Sequence, residues 1–247
     1  MLKVLIACEE SQRVCTAFRA LGHEAYSCDI LPPSGGHPEW HIQQDVLSIL
    51  NPQNYLFDEK DPTSVHTRIE FETMDGVYHS LEDEKWDLII AHPPCTYLTV
   101  TGNRWFNIEK YGDKAKERYK LREEGIEFFM AFAQADCDHI VIENPVGIMS
   151  TVWKKPSQII QPYWFGDPFE KKTCLWIKGL PNLVKDNEVT PEERTTFASG
   201  KSMPSWYCDA AKLPKAERSR IRSQTFPGFA RAMAEQWSKY IEEENNK

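Results

Sequence analysis

The chain has 247 residues, 41% of them hydrophobic, and a formal net charge of −8 at pH 7. This size suits one large α/β domain with its own apolar core. The acidity argues against a protein that coats nucleic acid without sequence preference, and no apolar run approaches the ~20 residues of a membrane helix. Because charged residues closely follow the apolar segment 1–7, that segment is too short for a signal peptide, and we expect a cytoplasmic protein.

Apolar residues recur at strand or helix spacing along most of the chain. In chain order, the patterns predict a strand over 3–7, a helix over 11–21, a strand over 24–29, a third unit of strand and short helix over 42–50, a strand over 86–91, a helix over 118–134, strands over 139–142 and 174–177, and a helix over 229–241. Strands that alternate with helices indicate a doubly wound, mostly parallel sheet of the Rossmann-like α/β class.

Two segments interrupt this alternation. Residues 51–85 are polar, and their Asp-Gly pair at 75–76 is typical of a hairpin turn, so we interpret them as a surface excursion. Residues 181–222 are rich in Pro, Ser, Lys and Glu without clear periodicity, which indicates a small, loop-rich insertion. The remaining residues, 1–180 together with 223–247, would then form one catalytic domain.

The cysteines indicate reduced thiols rather than a disulfide framework. There are seven, an odd number, and no two of them form a Cys-x-x-Cys pair. A scattered set of this kind consists mostly of small core residues. The histidines have no cysteine partners at the spacing of a zinc site, so no metal centre is predicted.

Polar residues follow four of the predicted strands, at the positions where open α/β sheets bind their ligands. They are residues 8–11, Asp29, residues 92–95 and residues 143–145. Cys95 follows two prolines and is placed to act as a nucleophile, but a free thiol has a pKa of about 8.5 and needs a nearby cation or a helix N-terminus. A buried, inert Cys95 and a Glu143 that only caps a loop are the alternative.

Several motifs resemble those of the C5-cytosine DNA methyltransferases. Pro94-Cys95-Thr96 is similar to their Pro-Cys-Gln nucleophile motif, and Glu143-Asn144-Pro145, 48 residues on, is similar to their Glu-Asn-Val motif. Residues 166–168 and 171–173 resemble the Gly-x-Pro segment and the Arg-x-Arg pair, and residues 227–230 resemble the final motif. The resemblance covers most of the chain and is greatest to compact phage-type members of the family.

This resemblance implies a fold of the S-adenosylmethionine-dependent methyltransferase type, acting on DNA. Cys95 would add to C6 of a flipped cytosine and so make C5 nucleophilic toward the methyl group of S-adenosylmethionine. Glu143 would hold the Watson–Crick edge of the base, and Asn144 would position the loop. All three are therefore predicted catalytic residues.

The resemblance also assigns residues to the cofactor. The predicted contacts are Cys8, Glu9, Ser11, Asp29, Asp45 and Pro94. Asp29, at the end of the second strand, would bind the ribose hydroxyls, and Asp45 would face the adenine amine. The first loop departs from the family because it contains no glycine, the residue that lets a backbone approach a ligand closely.

The predicted substrate contacts are mostly basic. They are Lys171, Thr173, Arg104, Arg218, Arg220 and Arg222. Lys171 and Thr173 stand where the family has its arginine pair, although a lysine cannot form the same bidentate contact. Residues 181–222 correspond to the target-recognition region of the family, and their basic strip, 212–222, is suited to phosphates.

Other interpretations stay open. The glycine-free first loop and the acidic net charge favour a methyltransferase-like module that binds nucleic acid or protein without turnover. The shortness of the recognition segment leaves room for a pyrimidine nucleotide as the substrate. An amino-methyltransferase is disfavoured, because His92 and Cys95 replace the acidic or amide residue and the aromatic residue of its motif.

Overall fold

The computed structural model describes residues 1–55 and 65–246. Its strands are β1 (Lys3–Ala7), β2 (Glu24–Asp29), β3 (His41–Gln43), β4 (Gln53–Tyr55), β5 (His66–Glu72), β6 (Tyr78–Glu82), β7 (Leu88–Ala91), β8 (Ile140–Pro145), β9 (Gln158–Ile160), β10 (Thr173–Lys178), β11 (Arg194–Thr196) and β12 (Ser202–Pro204). Its α-helices are α1 (Arg13–Ala20), α2 (Ile108–Tyr111), α3 (Asp113–Ala133), α4 (Met149–Val152), α5 (Ser205–Ala211), α6 (Lys215–Ser223) and α7 (Pro227–Asn245). None of these helices is both long and apolar enough to span a membrane.

Seven strands form the main sheet, in the order β3-β2-β1-β7-β8-β10-β9. The first five of these run parallel, and β10 runs antiparallel to both of its neighbours. Alternate residues of β1 pack on opposite faces: Leu5 contributes to the core beneath α3, and Val4 contributes to the core beneath α1 and α7. The predicted Rossmann-like, mostly parallel α/β class is confirmed.

The end of β8 differs from its prediction. The apolar pattern ends at Ile142, whereas β8 continues to Pro145. The reason is its second neighbour, because β7 pairs with β8 only as far as Ile142, while the antiparallel β10 pairs with it as far as Pro145. Glu143 and Asn144 therefore lie within a strand, where hydrogen bonds from β10 fix their backbone.

The segments that interrupt the alternation contain regular structure of their own. Strands β4, β5 and β6 form a separate antiparallel sheet, and the predicted hairpin at residues 75–76 is confirmed as the turn between β5 and β6. Residues 56–64 of the predicted excursion lie outside the described part of the chain. The segment 181–222 holds the β11–β12 hairpin and helices α5 and α6, which are too short to produce a clear periodicity.

Two helices extend beyond their predicted bounds. Helix α3 begins at Asp113 rather than at residue 118, and α7 runs from Pro227 to Asn245 rather than over 229–241. The additional turns are rich in charged residues and largely exposed, so the apolar pattern does not reveal them.

Candidate active site

One cavity lies at the carboxyl ends of β1, β7 and β8, at the centre of the main sheet. Its lining comes from residues 8–11, 92–95, 143–145, Lys171 and residues 222–225. The sheet thus brings together three of the four polar strand ends that the sequence pointed to. Residues 222–225, from the end of α6 and the start of the loop before α7, complete the lining.

Strand register places His92 beside Glu143 in this cavity. Ala91 of β7 pairs with Ile142 of β8, so the next residue of each strand projects on the same face. The Nδ1 atom of His92 donates a hydrogen bond of 3.2 Å to Oε2 of Glu143. Each side chain is only 10% exposed, and Nε2 of His92 is buried without a partner among the described residues.

Glu143 is an ionised carboxylate in a buried position. Burial by itself raises the pKa of Glu143, but the hydrogen bond from His92 and the positive charge of Lys171 outweigh it and hold the pKa below its ordinary value. The Thr173 hydroxyl, which donates its hydrogen bond of 3.2 Å to the Lys171 carbonyl, also lies near enough to lower the pKa of Glu143. Both residues at the predicted positions of the family's arginine pair therefore favour the ionised carboxylate, chiefly Lys171 through its charge.

Cys95 lies half-buried in the same cavity and starts a tight turn. Its carbonyl accepts hydrogen bonds from the backbone N–H groups of Leu98 and Thr99. Burial, and then the negative charge of Glu143, raise the pKa of the Cys95 thiol, while the positive charge of Lys171 acts in the opposite direction. The thiol is consequently protonated at neutral pH, although the cation that a nucleophilic cysteine needs is present.

Asn144 fixes the loop that carries Cys95. Its Nδ2 atom donates a hydrogen bond of 2.8 Å to the carbonyl of Pro93. The side chain is 2% exposed, and Oδ1 is buried without a partner in the described part of the chain. A buried amide bonded across two strand ends holds the Pro93-Pro94 segment at a defined distance from β8.

The loop after β1 contains no glycine, but two of its residues adopt the left-handed backbone conformation that glycine usually provides. Cys8 and Gln12 adopt the left-handed region, with φ angles of 60° and 57°. The Glu9 carboxylate accepts hydrogen bonds from the backbone N–H groups of Val14 and Cys15, at distances of 2.7 and 3.1 Å. Glu9 therefore caps α1, and it lines the cavity together with Cys8 and Ser11.

The two predicted cofactor aspartates lie beside the cavity rather than in its lining. Asp29 ends β2 and accepts a hydrogen bond from the Leu31 N–H, and Asp45 accepts one from the Leu47 N–H. Both are close enough to Cys8 that, after burial, their negative charges raise the pKa of its thiol. Asp29 at the end of β2 and Asp45, two residues after β3, thus form an acidic edge beside Cys8 and next to the cavity.

The basic residues that were predicted as substrate contacts separate into two groups. Lys171 and Arg222 line the cavity, and the Arg222 guanidinium stacks on the Tyr207 ring at 3.6 Å. Arg104, Arg218 and Arg220 do not line it. Arg104 packs on Trp105, Arg218 donates to the Ala211 carbonyl, and Arg220 is exposed on α6.

No cluster of three or more metal-ligating side chains occurs in residues 1–55 and 65–246. The cavity instead pairs His92 with Glu143 and Asn144 with the Pro93 carbonyl, and leaves Nε2 of His92 and Oδ1 of Asn144 without a partner among the described residues. What this arrangement can do chemically therefore depends on a thiol, a carboxylate, an imidazole and two cations.

No protein-family model matches the sequence, and no curated protein is significantly similar to it. Among solved structures, the chain is similar to one described as a candidate DNA modification methyltransferase encoded within an E. coli prophage, at 15% identity and a TM-score of 0.38. That similarity covers 90% of this chain and 69% of the other. At this level of similarity, the function has to be argued from the cavity itself.

Two contributors to the cavity have no role assigned from the sequence. The sequence identifies His92 only as part of the polar segment 92–95 and as a departure from another motif, although its place one residue after β7 aligns it with Glu143. The segment 223–225 carries no motif, and hydrogen bonds from Arg13 and Lys171 to Gln224 and Thr225 hold it at the cavity.

Proposed function

We propose that the chain is an S-adenosylmethionine-dependent DNA (cytosine-5)-methyltransferase that acts through Cys95. The observation that carries the proposal is the meeting of Cys95, Glu143 and Lys171 in one cavity at the carboxyl edge of the sheet. Carbon 5 of cytosine is a poor nucleophile until a covalent addition at C6 removes the aromaticity of the ring. A thiol and a carboxylate on adjacent strands are the groups that such an addition requires.

Glu143 recognises the base in this proposal. Its ionised carboxylate accepts a hydrogen bond from the exocyclic amine of cytosine, and its second oxygen faces N3 of the ring. Two acceptors that face each other repel unless a proton lies between them. Binding of the base in this way therefore raises the proton affinity of Glu143.

The Cys95 thiol supplies that proton. As the sulfur bonds to C6, its proton passes through the Glu143 carboxylate to N3, so the addition needs no external acid and leaves no net charge. After methylation, the C5 proton passes to water and the S–C6 bond breaks, while the N3 proton returns through Glu143 to the Cys95 sulfur, so the aromatic ring and the free thiol are both restored and one proton is released. The positive charge of Lys171 stabilises negative charge on the sulfur during the addition.

The cofactor site would be the acidic edge beside the cavity. Asp29 and Asp45 fit a nucleoside there, because each uses one carboxylate oxygen in a local turn and both lie near the left-handed turn at Cys8. Ser11 and Pro94 would complete the contacts toward the cavity. The bound S-adenosylmethionine supplies the methyl group, and these residues orient it toward C5.

The substrate would be DNA with one cytosine turned out of the helix, since C6 is not accessible inside a base-paired stack. Lys171 and Arg222 lie at the cavity, where they would hold the flipped nucleotide. The exposed part of α6, including Arg220, would contact phosphates outside it. Segment 181–222 would provide target recognition, and the rest of the chain would form the catalytic domain.

A binding module without turnover is the second candidate. The observation that favours it is the protonated state of Cys95, whose pKa is raised rather than lowered. A thiol of this kind reacts slowly with small electrophiles. It becomes a catalyst only if the bound base accepts its proton.

Transfer of a radioactive methyl group from S-adenosylmethionine to cytosine DNA tests the proposal. We expect label at C5 of cytosine with the wild type and none with Cys95→Ala. Binding of DNA and of S-adenosylmethionine is measured for both proteins as a control, because the alanine variant keeps the cavity open. Normal binding without label transfer by the wild type supports the binding module instead.

A further inference from the structure

A buried histidine contacts one buried carboxylate of the cavity and lies within electrostatic range of a second. His92 donates to Glu143, and it acts to lower the pKa of the Glu9 carboxyl against the larger effect of burial, which raises that pKa. The mechanism above assigns no role to this residue. Glu9 comes from the loop after β1, His92 from the end of β7 and Glu143 from β8, so three neighbouring strands build the array.

We infer that His92 is a positioning residue that fixes the Glu143 carboxylate through one lone pair of Oε2, so that Oε1 and the remaining lone pair of Oε2 are held in place for the substrate base. The catalytic part of this inference rests on the proposed function. The structural part, the fixing of the Glu143 carboxylate by the His92 imidazole, does not depend on it.

The hydrogen-bond geometry supports this role. Nδ1 must carry a hydrogen to donate to Oε2 of Glu143. The side chains are both nine-tenths buried, so water does not offer an alternative donor. The strand register restricts the two backbones as well, because Ala91 and Ile142 are partners in the parallel ladder of β7 and β8.

The groups around His92 and Glu143 make their hydrogen bond necessary for keeping Glu143 ionised. The titratable groups that act on this pair come from four elements and are Glu9, Cys95, Lys171 and Cys174. Only Lys171 among them is a cation. Without the His92 donor, the buried Glu143 carboxylate loses its closest compensation, and its pKa rises.

Two substitutions separate hydrogen bonding from packing. His92→Asn keeps an N–H donor near the position of Nδ1, whereas His92→Phe keeps a planar ring and removes the donor. His139→Phe is the matched control, because His139 also contacts a carboxylate, that of Glu244, but lies before the first residue of β8, at the opposite edge of the sheet.

The first measurement is the pKa of Glu143 in the free protein, from carbon-13 NMR of labelled glutamate carboxyls. The signal is identified by its loss in Glu143→Gln. We expect the Glu143 pKa to rise in His92→Phe, to stay near the wild-type value in His92→Asn and to be unchanged in His139→Phe. An unchanged pKa in a folded His92→Phe, or equal shifts in both His92 variants, would overturn the inference.

The second measurement is the methyl-transfer rate. We expect kcat/KM to fall by at least about tenfold in His92→Phe and to recover largely in His92→Asn, since a hydrogen bond to a charged group is lost in one and kept in the other. Equal losses in the two variants would contradict the positioning role. A wild type that binds DNA but transfers no methyl group would refute the proposed function, while the NMR result would still decide the role of His92.

Discussion

At the scale of single residues, the cavity combines a protonated thiol with an ionised carboxylate. Glu143 raises the pKa of Cys95, and Lys171 lowers the pKa of both groups. The three side chains therefore form one coupled system in which a change at any member alters the others. This coupling can be measured without a substrate.

Glu143→Gln is expected to lower the pKa of the Cys95 thiol, because it removes a neighbouring negative charge while keeping a side chain of about the same volume. Lys171→Met is expected to raise it. The rate of alkylation by iodoacetamide as a function of pH measures both changes. Because the chain has seven cysteines, the modified peptide is identified by mass spectrometry, with Cys95→Ala as the blank. Shifts of the same sign in both variants would exclude the coupling.

The sequence predicted Cys95 and Glu143 because their motifs are local. It could not predict that His92 donates to Glu143, since that contact depends on which residue of β8 lies opposite Ala91. The capping role of Glu9 was also beyond the motif, because a glutamate before a helix serves equally well as a ligand contact or a cap. Its burial decides between the two.

Glu9→Gln tests that cap together with its charge. Burial raises the pKa of Glu9 in the folded protein, so folding is most favoured where Glu9 is protonated, and this contribution is lost as the pH rises through the folded-state pKa. The difference in the free energy of unfolding, glutamine variant minus wild type, should therefore be larger at pH 8 than at pH 4. Urea denaturation at both values measures it.

Glu9→Ala serves as the comparison for the hydrogen bonds. It removes the acceptor for two backbone N–H groups of α1, and we expect a loss of about 1–3 kcal/mol at either pH. A loss below about 0.5 kcal/mol would show that water or another group caps the helix.

At the scale of elements, the turn that presents Cys95 is held by the segment after β8. The Ile148 N–H donates to the Leu98 carbonyl at 2.8 Å, and Thr99 forms a bridge with Gly147. The backbones approach so closely that a Cβ atom on Gly147 would lie 2.3 Å from the Leu98 oxygen. The position of Cys95 therefore depends on a glycine 52 residues away in the sequence.

Gly147→Ala is expected to displace this turn and to destabilise the protein by about 1–3 kcal/mol, as overpacking does in cores. Gly125→Ala is the matched control, since its Cβ would meet the Leu98 side chain at an ordinary 3.5 Å and lies in α3, where alanine is favoured by ~1 kcal/mol. Thermal unfolding and the alkylation rate of Cys95 measure the two effects. Equal behaviour of the two variants would contradict the role of the close approach.

The long elements could be predicted from periodicity, and the bounds of β1 and β2 agree with the predicted ones. The short ones could not, because β11, β12 and α5 are too brief to carry a pattern. The sequence also could not predict which glycine lies next to the first loop. Gly35, from the loop after β2, packs against the Gln12 side chain and the Ser11 carbonyl, so the close approach comes from a different segment.

At the scale of the whole molecule, basic charge on α6 contrasts with a net charge of −8. Arg220 is exposed on this helix, and Arg222, on the same helix, reaches the cavity. This arrangement is suited to local contact with phosphates next to the cavity rather than to broad electrostatic attraction.

Arg220→Glu and Lys239→Glu change the net charge equally but at different places, since Lys239 lies in α7 and is 77% exposed. We expect Arg220→Glu to weaken DNA binding and to reduce the slope of its salt dependence by about 1. Lys239→Glu should have little effect. Fluorescence anisotropy at several salt concentrations measures both, and equal losses would show that only the net charge matters.

In the proposed reaction, Cys95 forms a covalent bond with C6 of cytosine. DNA that contains 5-fluorocytosine tests it directly, because the fluorine at C5 cannot leave as a proton and the adduct is trapped. With S-adenosylmethionine present, we predict a complex that survives denaturation, with the DNA attached to the peptide that contains Cys95, and no complex with Cys95→Ala. The absence of an adduct when wild type binds both DNA and S-adenosylmethionine, or an adduct that forms equally in Cys95→Ala, would contradict the claim.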